Sequence, residues 1–291
     1  MKKFTSESVA VLQPYFNEFQ SKISDVSLTN LVIWNSKYHY YYAIVADYIL
    51  IVKKNPDSAW HYSMPIGPRN DGMLRIVENL VHSNKDNIII DHADKYFIRL
   101  LKTTNYKFQI ESARDEFDYI YSFEALKNLT GKRLHKKKNL VNNFQKNYPE
   151  WSFRTYTPED YEQVLSFLKT WYQDKMDVEN LMTEWEGIIM ALQAYDDLSF
   201  EGGLLFVDET LVAFTMVELI TKDTLVVHIE KGNTNYKGVY NALQYQLLQR
   251  YDRQLKWVNR EQDLGIANLR KAKMSYHPAF FEQKYKITIL K

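Results

Sequence analysis

Charged and amide side chains gather between residues 226 and 285, where apolar runs stop. Glu230 directly follows the run VVHI, and Glu261 follows KWVN with one residue between. Lys231 and Arg260 stand beside them. Arg270 and Lys273 lie three apart on the next helix-like stretch, a spacing that puts them on neighbouring positions of one helix. A positioned carboxylate can take the proton of an attacking amine or hydroxyl. Arginine grips phosphate or carboxylate with a two-pronged fork, and lysine makes a point contact. Backbone N–H groups freed where strands diverge can stabilise an oxyanion. This set suits acyl transfer. Glu230 and Glu261 are the candidate catalytic bases; Lys231, Asn259, Arg260, Arg270 and Lys273 are the candidate substrate-binding residues. Each also has a plainer explanation: turn carboxylates paired with Lys231 and Arg260, a solvated helix face, and asparagines that cap or turn the chain.

Other chemistries find little support. The chain has no cysteine, which removes disulfides, thiolate metal sites and a Cys nucleophile. Its seven histidines show no metal-ligand spacing; His39 and His228 sit inside strand-like runs, where packing is the ordinary reason for a histidine. There is neither a Gly-x-Ser-x-Gly elbow nor a Walker loop. The formal net charge is +1, so a basic site must be local. The N-terminus lacks the apolar core of a signal peptide, and no run approaches the roughly 18 apolar residues of a membrane span. A cytoplasmic protein is the simplest expectation. The acidic stretch at residues 174–186 is expected to be an outer helix face.

The elements that must position these residues appear twice in the same order: helices, hairpin, strand, helix, strand, helix, strand. The first hairpin turns at Ala46-Asp47 and the second at Asp208-Glu209. Pro14 is expected to divide the first helical region. Thr157, Pro158 and Asp160 spell a helix start: a cap, a first-turn proline and a carboxylate three residues on. The spacing exceeds 100 residues, which points to duplicated domains rather than a solenoid. The expected division is 1–121, a linking helix at 122–150, and 151–291. The class is α+β, with mixed central sheets flanked by helices.

The link is basic. Residues 125–149 hold no Asp or Glu but seven Lys or Arg. Lys132, Arg133, Lys136 and Lys137 would touch nucleic-acid phosphates or anionic lipid head groups; a solvated helix packed by its leucines is the plainer reading.

Three segments carry a family resemblance: LKNLTGKRLHKKKNLVNNFQKNYPEW, HIEKGNTNYKGVYNAL and VNREQDLGIANLRKAKMSYHP. They are spread over the link and the second copy, about half the chain. Together they resemble the C-terminal transferase domain of phosphatidylglycerol lysyltransferases, relatives of the FemABX aminoacyltransferases. The resemblance implies tandem GNAT-like units, a transfer site in the second and a tunnel between them. It also implies aminoacyl-tRNA, or another acyl donor, serving a lipid or another amine or hydroxyl acceptor. An anionic lipid at a membrane surface is one acceptor it allows, although this chain carries no membrane half. GNAT proteins that use coenzyme A present Gln/Arg-x-x-Gly-x-Gly/Ala at the helix after the fourth strand, cradling pyrophosphate on backbone N–H groups. Here that place reads Asn235-Tyr236-Lys237-Gly238-Val239-Tyr240, with one glycine kept and bulky Tyr240 at the small position. Coenzyme A is therefore disfavoured and no cofactor or metal is expected. A CoA-dependent N-acyltransferase and a binding module without chemistry are the other two readings.

Overall fold

The computed structural model describes residues 1–54, 59–173, 179–251 and 255–291. The first half runs β1 (Lys2–Lys3), α1 (Ser8–Glu18), α2 (Leu28–Tyr38), β2 (Tyr41–Val45), β3 (Tyr48–Lys54), β4 (Trp60–Ser63), α3 (Gly72–Ser83), β5 (Ile88–Ala93), α4 (Lys95–Leu101), β6 (Phe108–Glu111) and β7 (Asp118–Ser122). Two connecting helices follow, α5 (Phe123–Asn128) and α6 (His135–Asn147). The second half runs β8 (Trp151–Thr155), α7 (Tyr161–Gln173), α8 (Glu179–Gln193), β9 (Phe200–Val207), β10 (Thr210–Thr221), β11 (Thr224–Gly232), α9 (Val239–Gln249), β12 (Trp257–Asn259), α10 (Ala267–Met274), β13 (Phe280–Glu282) and β14 (Tyr285–Ile289).

Local chemistry explains many of these boundaries. Asp208 and Glu209 both take positive φ, the backbone of a tight two-residue hairpin whose twist matches its strands. Thr157 and Asp160 form the expected capping box. Pro14 lies inside α1 instead of dividing it. Its missing N–H leaves a helical carbonyl without its usual donor, and the buried face of Val9, Leu12 and Phe16 carries the helix through. The basic link is two helices, not one. They break at Leu129, which adopts the left-handed conformation and ends α5.

Among the described residues two mixed seven-stranded sheets result, ordered β1-β2-β3-β4-β5-β14-β6 and β8-β9-β10-β11-β12-β7-β13. Position for position they correspond, and in each the fourth and fifth strands are parallel. This is the α+β, tandem GNAT-like architecture. The closing strands trade places. β14, from the end of the second half, sits between β5 and β6; β7, from the end of the first, sits between β12 and β13. The strands thus cross the expected division at 121 and 151. A buried charge cluster sits at the crossing: Lys284 pairs with Asp25 and, at 2.7 Å, with Asp118, which is fully buried.

α2 belongs to the first half but packs on α8 of the second. Gly187 makes this approach feasible: a Cβ there would fall 1.7 Å from the Ile33 carbonyl oxygen.

Candidate functional site

β11 and β12 are paired over only three residues, from Thr224–Trp257 to Val226–Asn259. β11 then continues to Gly232 while the chain after Asn259 turns away. The opening holds a cavity of about 530 Å³. Residues 227–231 line one wall and 260–262 another; Lys273 and Tyr276 come from α10 and its end, Tyr240 and Asn241 from α9, Lys137 from α6, Glu184 from α8 and Trp34 from α2. The corresponding crevice of the first half, beside β4 and β5, holds only about 30 Å³.

Glu261 stands at the turn with φ 56°, a conformation that costs a residue with a side chain about 1–3 kcal/mol. Two backbone hydrogen bonds pin it: its N–H donates to Asn259 Oδ1 at 2.7 Å and its carbonyl accepts from the Tyr119 N–H at 3.1 Å. Its carboxylate lies 2.8 Å from His228 Nδ1 and accepts from Asn30 Nδ2 at 3.3 Å. On its other side His228 Nε2 lies 3.1 Å from Glu218 Oε2 and 3.4 Å from Ser27 Oγ. Burial alone would lower the imidazole's proton affinity. Hydrogen bonds and attraction from Glu218 and Glu261 outweigh it and raise the pKa to about 9. At neutral pH the site therefore holds an imidazolium clamped between two carboxylates.

Glu230 pairs with Arg260, whose guanidinium also donates to Gln244 Oε1 at 3.1 Å and lies 4.9 Å from the Tyr276 ring centroid. Three buried polar atoms of this group have no hydrogen-bond partner among the described residues: Glu230 Oε1, Arg260 Nε and Gln244 Nε2. Lys273 donates to the carbonyls of Arg260 and Gln262 at 2.6 and 2.5 Å. Burial pulls its ammonium down to about 8; Glu261 opposes the fall and Arg260 adds to it. Lys137 lies 4.0 Å from the Tyr276 centroid and is lowered too, first by burial and then by Arg260. Lys231 bonds Glu184 at 2.7 Å and lies over Trp171.

The structure thus brings Glu230, Lys231, Arg260, Glu261 and Lys273 to one cavity. Asn259 is not on its wall; fully buried, it holds the backbone of Glu261 and donates to Asp118 at 2.9 Å. Arg270 points outward to Asp263 and Asp115, so it and Lys273 serve opposite sides of α10. Lys132, Arg133 and Lys136 are exposed and line a surface groove of about 480 Å³ with Lys137.

Sequence reasoning passed over His228 and Glu218. Two signals were present: His228 alternates with Glu230 on one face of β11, and Glu218 interrupts the apolar run of β10. Of the acidic stretch, residues 174–178 lie outside the described residues, and Glu184 faces the cavity rather than solvent. Among the described residues, one further cavity lies on the far side of the Glu218–His228 contact from this one. The second holds about 410 Å³.

The family model described as phosphatidylglycerol lysyltransferase, C-terminal, matches residues 16–288. A conserved protein of unknown function from Bacteroides thetaiotaomicron is similar at 28% identity and TM-score 0.89, over 100% of this chain and 99% of that one. L-PGS from Bacillus licheniformis shares the fold at 13% identity and TM-score 0.67, over 100% and 93%. An uncharacterized protein of Mycoplasmoides gallisepticum is 25% identical over 178 residues, 60% of this chain; the chain spans about half of that curated relative, 56% of its length.

Proposed function

Since the chain belongs to the phosphatidylglycerol lysyltransferase C-terminal family, we propose that it is an aminoacyltransferase. It moves an activated aminoacyl group from aminoacyl-tRNA to an amine or hydroxyl acceptor. One observation carries this reading: Lys137 belongs both to the cavity wall and to the basic surface groove of Lys132, Arg133 and Lys136. A polyanionic donor held in that groove would present its ester end to Glu261. Glu261 takes the proton of the attacking group as the new bond to the acyl carbon forms, and returns it to the ribose oxygen of the tRNA as the ester bond breaks. Lys273, Arg260 and the unpaired edge of β11 meet the negative charge that develops on the carbonyl oxygen. An anionic lipid remains one acceptor class. No helix among the described residues is long and apolar enough to cross a membrane, so such a lipid would be reached from the membrane surface. The cytoplasm, where charged tRNA resides, is the proposed location.

Coenzyme A fits less well. The N–H groups that would cradle its pyrophosphate are engaged: Asn235 N–H by Asn233 Oδ1, Lys237 N–H by Tyr148 Oη and Val239 N–H by the Tyr236 carbonyl. α6 also lies across this loop, with the Leu140 carbonyl 2.8 Å from where a Gly238 Cβ would stand.

The test is transfer from a pool of radiolabelled aminoacyl-tRNAs to amine, hydroxyl and lipid acceptors, with calorimetry of acetyl-CoA in parallel. Transfer should occur, fall about 100-fold or more in kcat for Glu261→Gln, and be accompanied by no heat from acetyl-CoA. A wild type that binds tRNA yet transfers nothing would favour the binding-module reading. Saturable acetyl-CoA heat would favour the N-acyltransferase.

A further inference from the structure

The second cavity lies behind the transfer site, between α1, the segment after it and the end of β10. Its floor is Glu218, 6% exposed. One carboxylate oxygen, Oε2, faces His228; the other, Oε1, has no hydrogen-bond partner among the described residues. Across the cavity Gln13 donates through its amide nitrogen to Asn17, which leaves its own Oε1 buried and without a partner. Ser27 and Gln20 also line the space, but their oxygens already accept backbone N–H groups, of Asn30 and Lys222. The buried unmatched atom is thus an acceptor, Gln13 Oε1, and Glu218 Oε1 is a second acceptor on the lining; Lys222, which also lines the cavity, is exposed. A buried acceptor without a donor, as Gln13 Oε1 is, costs free energy that a ligand bearing N–H groups would recover. The charge points the same way: Glu218 and Glu261 share one imidazolium, so the trio carries a net negative charge.

We propose that this cavity is a binding site for a small molecule bearing a primary ammonium, held by Glu218 Oε1 and Gln13 Oε1. Its occupancy is felt at the transfer site. An ammonium on Glu218 competes with His228 for the same carboxylate, so it weakens the hold on the imidazolium that also contacts Glu261. Coupling of this kind is reciprocal: whatever changes His228 protonation changes ligand affinity by the same factor. The groups facing His228 are Glu218 from β10, Glu261 from the turn after β12, and Ser27 at the start of α2. The site is independent of which acyl group is transferred, and of whether transfer occurs.

Butylammonium and 1-butanol, matched in shape and different in charge, are titrated into the isotopically labelled full chain and followed by NMR. Butylammonium should saturate, 1-butanol should not, and the titration midpoint of His228 should fall only with the amine. Glu218→Gln, an isosteric change, should weaken butylammonium about tenfold or more, the scale of one charge-assisted hydrogen bond. Gln13→Leu, on the partly exposed face of α1, should weaken it less and leave His228 unmoved without ligand. Equal responses to amine and alcohol would overturn the proposal, as would unchanged butylammonium binding in Glu218→Gln or in Gln13→Leu. Should Glu218→Gln fail to fold, the Gln13→Leu comparison decides alone.

Discussion

Raising the pH from about 6 to about 8 should weaken the protein through His228. An ordinary histidine titrates at 6.5; here the ring is held to about 9. Burial opposes that rise, and Glu218 and Glu261 overcome it. A tenfold change in proton affinity corresponds to about 1.4 kcal/mol, so the protonated ring contributes on the order of 3 kcal/mol to folding. The folded value lies above the unfolded one. The contribution is therefore complete below pH 6.5 and lost as pH climbs through 9. Lys273 acts in the opposite sense, since its ammonium is depressed to about 8 and its cost is relieved above that pH. The interval between the two isolates the histidine and should cost about 2 kcal/mol. Urea unfolding at pH 6, 7 and 8, roughly the span of that window, measures it directly. Glu218→Gln should flatten the slope because one of the two supporting carboxylates is gone. A stability that stays level or climbs across this interval would refute the clamped imidazolium.

Gly238 begins α9 at φ 89° and faces the Leu140 carbonyl, so Gly238→Ala should cost about 2 kcal/mol in urea unfolding; a loss under about 0.5 kcal/mol would mean that α6 yields easily. Removing Lys132, Arg133 and Lys136 together as alanines should leave folding intact, because all three are exposed. Binding of tRNA should weaken, and the slope of log K against log salt should become shallower by about 2 to 3, one phosphate contact for each side chain. An unchanged slope would move the donor elsewhere.

The elements were legible because their signals are local. Thr157 with Asp160, the turn at Asp208-Glu209 and the alternation of Trp151–Thr155 each depend on a few neighbouring residues. The crevice after β11 was legible too, since charges placed just past apolar runs gather where strands end. What sequence could not supply was long-range pairing. The final apolar run reads as a closing strand in either sheet, and only tertiary contacts place Ile287 opposite Ile90 and Ile110. Asn259 and Arg270 lie off the cavity wall for a related reason. Their residue types suit a ligand, but the fold had already engaged one with the Glu261 backbone and the other with Asp263. His228 was overlooked because a strand histidine usually packs; its meaning comes from Glu218 and Glu261, 10 and 33 positions away in sequence.

The exchange of β7 and β14 makes a prediction about cooperativity. Each sheet has an interior strand, next to its last, supplied by the other half, so neither half can complete its hydrogen bonding alone. Lys284 and Asp118 hold the crossing point: the ammonium is buried against Asp118 and Asp25, and the partners raise its proton affinity even though burial works against it. Two units joined only by a linker would unfold separately, each with its own core. Here unfolding one half strips a strand from inside the other's sheet and leaves its last strand unpaired. Urea transitions followed by tryptophan fluorescence and by far-ultraviolet circular dichroism should therefore coincide. Lys284→Met should cost about 3–5 kcal/mol, since it strands the fully buried Asp118 carboxylate without its cation, and the single transition should move as a whole. Two resolved transitions, or a Lys284→Met loss confined to one of them, would show that the halves fold as neighbours and that the traded strands are not what binds them. A coincident transition ties the site to both halves, because α2 and β11 reach the transfer cavity from opposite sides of that exchange.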